Sequence, residues 1–101
     1  MPKLFEYLGI IIYFYSNEHK PIHVHAEKDG KECKAKFTII NGEISEIKIC
    51  NVIGKKPLKN IDLKNFKIFL ENYSNIIIEK WIDYFIYNKE IKCKKITKRL
   101  K

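Results

Sequence analysis

The chain has few residues of several informative kinds. It holds three cysteines, Cys33, Cys50 and Cys93, an odd number, widely spaced and without a Cys-x-x-Cys pair. That excludes a disulfide framework and a thiolate zinc site, and leaves each cysteine the expectation of a small buried hydrophobe. Glycine (four) and proline (three) are scarce, so neither a fibrous nor a disordered composition applies. No glycine-rich phosphate loop and no Gly-x-Ser-x-Gly element is present. No apolar run approaches the roughly 20 residues of a bilayer-spanning helix. The longest, Leu8 to Tyr15, stops at Ser16-Asn17-Glu18. No apolar segment ending in a small-residue cleavage site follows Lys3, so a cytoplasmic protein with no membrane association is expected. Arginine occurs once, at Arg99, although the chain is basic.

What is there fits one small domain spanning residues 1–101. Forty-six per cent of the 101 residues are hydrophobic and 13% aromatic, enough for one core. The net charge of +8 is uneven. Residues 86–101 carry seven cations (Lys89, Lys92, Lys94, Lys95, Lys98, Arg99, Lys101) against Glu90, a net +6. Such a tail suits nucleic acid or an acidic protein surface. It equally suits a solvated end in a lysine-rich chain that lacks the guanidinium fork best matched to phosphate and guanine.

Two periods divide the chain. Residues 1–53 read as strands and 57–85 as helix. Gly9–Tyr15 is β-branched and aromatic on both faces, which predicts a central strand covered by helix. A turn over Ser16–Pro21 leads to a strand from Ile22 to Lys28, ended by the hairpin dipeptide Asp29-Gly30. Lys31–Ile40 alternates, with Cys33, Ala35, Phe37 and Ile39 on one face and Glu32, Lys34, Lys36 and Thr38 on the other. A two-residue turn at Asn41-Gly42 would bury Glu46 opposite Phe37 if pairing ran on uninterrupted. One extra residue near Ser45-Glu46 avoids this and sets Phe37 against Ile47 and Ala35 against Ile49, which predicts a β-bulge. Leu63, Phe66, Phe69, Leu70 and Tyr73 mark a helix capped at Asn60 or Asp62. Ser74 then reads as the cap of a second helix with Ile77, Ile78, Trp81, Ile82 and Phe85 as its apolar face. Tyr7, Tyr13, Phe14 and Tyr15 read as core or as a stacking platform for bases, and Trp81 as core with a partner for its indole N–H. The alternation Ile91-Lys92-Cys93-Lys94 fits a last strand or a frayed end. The expected architecture is α+β, an antiparallel sheet of four to five strands with two helices on one face.

The candidate chemistry is concentrated. All three histidines fall within Glu18-His19-Lys20-Pro21-Ile22-His23-Val24-His25. Strand period puts His23 and His25 on one face, roughly 6.5–7 Å apart. Three readings fit. His23 and His25 form an acid–base pair oriented by His19 and Glu18, with Lys20, Lys34 or Lys36 as a phosphate cation, enough to cleave RNA through its own 2′-hydroxyl. His19, His23 and His25 bind zinc or iron at an open three-nitrogen site. Or the histidines bond backbone and one another and serve only the fold. A non-catalytic alternative uses Lys34, Lys36, Lys92, Lys94, Lys95, Lys98 and Arg99 to hold an acidic protein or nucleic acid.

These residues carry a resemblance. Met1-Pro2, Gly9 leading into Tyr13-Phe14-Tyr15-Ser16-Asn17-Glu18-His19, the Pro21–His25 segment with its Pro-x-His-x-His pattern, Asp29-Gly30 and Ile78-Glu79-Lys80-Trp81 are similar to the prokaryotic domain-of-unknown-function 4160 family. Ile22 departs from the second proline of many members, and residues 86–101 extend beyond the short versions. The resemblance implies a small soluble protein acting as the toxin of a two-gene toxin–antitoxin pair, with a small antitoxin-like partner encoded alongside. No cofactor is expected unless the histidines hold zinc or iron. Its signature coincides with the histidine cluster. A homodimer is a further expectation, through a free strand edge at Ile22–Lys28.

Overall fold

The computed structural model describes residues 2–14 and 22–101. Five strands run in sequence: β1 (Lys3–Tyr7), β2 (Ile10–Tyr13), β3 (His23–Lys28), β4 (Lys31–Ile40) and β5 (Glu43–Asn51). One helix follows, α1 (Asn60–Phe85), and then a short strand, β6 (Lys94–Ile96). The sheet order is β5-β4-β3-β2-β1-β6. All pairs are antiparallel except β1 with β6, which is parallel.

The tight turns follow from backbone conformation. Asp29-Gly30 and Asn41-Gly42 both hold two successive positive φ angles (54° and 75°, 53° and 79°), the twist that suits a two-residue hairpin. The β1–β2 turn does the same with Leu8 (φ 50°) and Gly9 (φ 81°). The positive φ calls for glycine at Gly9, where a Cβ would also lie 3.2 Å from Lys28 Cε and push that side chain aside by a few tenths of an ångström. The predicted bulge is present. Ile39 pairs with Ile44 and Thr38 with Glu46, so Ser45 is the extra residue, and its hydroxyl donates to Thr38 O at 3.3 Å. Phe37 meets Ile47 and Ala35 meets Ile49, as the hydrophobic register requires.

The two-helix, antiparallel expectation is overturned. A single 26-residue helix spans the expected break, and the sheet has six strands and is mixed. Ser74 is mid-helix rather than a cap, because Phe66, Leu70, Ile77 and Trp81 bury on one continuous stripe through it. Lys59 occupies the N-cap without a side-chain bond. Asp62 lies instead in the first turn, buried, where it accepts from Lys28 Nζ at 3.0 Å and ties β3 to the helix start. The strand missed in sequence is β1.

The helix covers one face of the sheet. Phe5 and Tyr7 of β1 pack against Phe69 with ring centroids 5.3 and 5.6 Å apart, and Phe14 packs against Phe85 at 5.6 Å. Ile10, Ile12, Val24, Ala26, Cys33, Ala35 and Phe37 complete this face of the core. Trp81 is buried, and its indole N–H has no hydrogen-bond partner among the described residues. Of the cysteines only Cys33 is buried; Cys50 is half-buried and Cys93 exposed, so the expectation of three buried thiols holds for one.

Part of the basic tail belongs to the fold. Ile96 is buried in β6, Lys95 pairs with Glu6 at 3.4 Å, and Lys89 with Asp83 at 3.7 Å. Leu100 N–H donates to the Tyr7 hydroxyl at 2.9 Å, and Asn72 Nδ2 donates to Lys101 O at 3.2 Å. β3 has neighbours on both sides, so no free edge exists at Ile22–Lys28.

Candidate functional site

The site lies on the sheet face opposite the helix. Alternation along β3 sends Val24 and Ala26 into the core and His23, His25 and Glu27 the other way. Cross-strand pairing then fixes the neighbours. His23 stands opposite Lys36, and His25 opposite Lys34 on one side and Tyr13 on the other. This polar face is not uniformly wet. His25 is 1% exposed, Glu32 2%, Tyr13 2% and His23 8%.

The burial has a chemical counterpart. His25 Nδ1 and Glu32 Oε2 are 3.1 Å apart, a buried hydrogen bond or ion pair. A carboxylate only accepts, so Nδ1 carries the proton and donates, which fixes the imidazole's tautomer and orientation. Tyr13 stacks on the same imidazole with ring centroids 5.5 Å apart and planes 25° apart. His23 meets it edge-on at 5.2 Å. His25 is thus held on three sides by a carboxylate, a phenol ring and a second imidazole. Lys34 and Lys36 flank the group, half-buried.

The structure places His23 and His25 side by side on β3, with Lys36 and Lys34 at the facing positions of β4. Glu18, His19 and Lys20, the expected orienting and cationic groups, lie outside the described residues. Sequence reasoning missed Glu32, which alternation assigns to the polar face and which reads there as a solvated charge. Its signal is positional: it follows the Asp29-Gly30 turn at the point where β4 passes the histidine strand. Lys92, Lys94, Lys95, Lys98 and Arg99 are exposed and lie on or beside β6, two strands beyond β2 and away from the histidines. They do not share a site with Lys34 and Lys36. Among the described residues, no group of three or more His, Cys, Asp or Glu side chains is placed to hold a metal ion.

The model of a family described as Domain of unknown function (DUF4160) matches residues 9–82. The chain belongs to this family. The matched span begins at the Gly9 turn and ends beside Trp81, so it contains the histidine strand, Glu32 and most of α1. No curated protein and no solved structure matches the chain. No helix among the described residues is long and apolar enough to cross a membrane.

Proposed function

We propose that the cluster of His23, His25, Glu32, Lys34 and Lys36 is an acid–base site acting on RNA, and that the protein is the toxin of a toxin–antitoxin pair. The observation that carries the reading is the carboxylate-held imidazole of His25 with a second imidazole 5.2 Å away, ring centre to ring centre. Two imidazoles divide the work of strand cleavage. One takes the proton of the ribose 2′-hydroxyl as its oxygen bonds to the adjacent phosphorus. The other gives a proton to the departing 5′ oxygen as the P–O5′ bond breaks, leaving a 2′,3′-cyclic phosphate. His23, the less buried ring, is the group that meets the substrate. Glu32 is a positioning residue that acts through His25. Lys34 and Lys36 supply positive charge beside the phosphate. The burial of both rings means that a substrate reaches them only after local opening of this face.

Burial itself favours a second reading. A histidine and a glutamate each at most 2% exposed also suit a purely structural pair, and the protein would then be a binding module for an acidic partner or nucleic acid. Induced expression in a bacterial host separates the two. The acid–base site predicts growth arrest by wild type and none by His23→Ala, with both folded by circular dichroism. Arrest that survives His23→Ala removes the histidine mechanism. Arrest lost only on truncation after Asn88 moves the function to the basic tail.

A further inference from the structure

The two edges of the sheet are built differently. The β6 edge is three residues long and carries exposed Lys94 and Lys95, a blunt end that discourages pairing. The β5 edge is nine residues long, and Ile44, Ile47 and Ile49 on it are only half-buried. The direction of its free backbone groups follows from β4. Phe37 N–H bonds Ile22 O toward β3, and Glu32 N–H bonds Lys56 O on the other side. Odd residues of β4 thus turn their backbone to β3 and even residues to β5. Lys36 with Lys48, and Lys34 with Cys50, are then the hydrogen-bonded pairs. The N–H and C=O groups of Ile47 and Ile49 point out of the sheet.

We infer that β5 pairs antiparallel with β5 of a second copy of this chain, about a two-fold axis at Ile47. Charge selects both occupant and register. Centred on Ile47, the pairing sets Glu46 opposite Lys48 of the other copy, and Lys48 opposite its Glu46, on one face of the joined sheet. Within one chain Lys48 stands opposite Lys36, a like-charge pair that is unfavourable by itself and is offset by the incoming Glu46. On the helix side an open groove of about 470 Å3 runs beside this edge, lined by Ile47, Ile49, Lys67, Leu70 and Glu71. A two-fold interface must be self-complementary, and this edge is so in its charges, its isoleucines and its free backbone groups. The inference does not depend on the acid–base site.

Sedimentation velocity over a concentration series tests it on the full chain, with Glu46→Lys, Lys48→Glu and the double exchange. Wild type is expected to reach twice the 12.1 kDa chain mass. Each single reversal is expected to raise the dimer dissociation constant about tenfold, and the double exchange to restore it. Both positions are exposed, and Lys48→Glu also relieves the repulsion with Lys36, so its fold, checked by circular dichroism, is retained. A wild type that stays monomeric up to about 1 mM overturns the inference. So does a dimer that the single reversals leave unchanged.

Discussion

Strands β3 and β4 present two faces that obey different rules. Toward the helix, Val24, Ala26, Cys33 and Ala35 are buried small apolar residues, and non-directional burial accounts for their stability. Away from the helix, residues one position along on the same strands are His25 and Glu32, buried as deeply but held by a directed bond of 3.1 Å. Equal burial therefore has unequal consequences. An apolar side chain can be trimmed at a cost set by the cavity it leaves. A polar pair depends on the directed bond between its partners, and removing either one costs the other that buried bond. A protein that places such a pair where apolar residues would serve constrains an imidazole's tautomer and direction, and that is the chemical use proposed for it.

The contrast yields a graded set of expectations. Phe69→Ala removes a ring in contact with Phe5, Tyr7 and Tyr73, and should cost about 4 kcal/mol by denaturant unfolding. Glu32→Ala should cost about 3 kcal/mol although it removes no apolar packing, because it takes away the carboxylate that His25 Nδ1 bonds at 3.1 Å inside the fold. Replacing both partners, His25→Phe with Glu32→Leu, should recover most of that loss while abolishing growth arrest. If the double replacement is no more stable than Glu32→Ala, the distinction between the two faces fails. Asp62→Ala, which breaks the link from β3 to the first helical turn, should cost about 1–2 kcal/mol. Lys34→Ala with Lys36→Ala should change stability by no more than about 0.5 kcal/mol each while weakening growth arrest. A loss of stability there instead would make the two lysines part of the fold rather than of the site.

Local features of this fold were legible in the sequence because local chemistry determines them. Asp29-Gly30, Asn41-Gly42 and the bulge at Ser45 each follow from turn conformation and the two-residue strand period. β1 was not legible, because its turn uses Leu8, an apolar residue at φ 50° inside a longer apolar run, where no polar turn dipeptide marks the boundary. The single helix was obscured by Ser74 and Asn75, which resemble a cap. The spacing Phe66, Leu70, Tyr73, Ile77, Trp81 nevertheless keeps helical period straight across them, and packing on that stripe outweighs the local preference. The parallel pairing of β6 with β1 joins residues about 90 positions apart, and no local signal encodes it. At the site, the cluster of His23 and His25 and the flanking Lys34 and Lys36 could be read from alternation. The role of Glu32 could not. Alternation tells which face a side chain takes, not whether that face is dry.

The central claim is that the polar face performs acid–base chemistry on RNA. Its most direct test incubates the purified protein with a labelled RNA oligonucleotide and with its 2′-deoxy counterpart of the same sequence. The account predicts cleavage of the ribose strand only, a 2′,3′-cyclic phosphate at the new end, and a loss of at least about 100-fold in His23→Ala with the fold intact. Equal cleavage by His23→Ala, or no cleavage by a wild type that arrests growth, would contradict it.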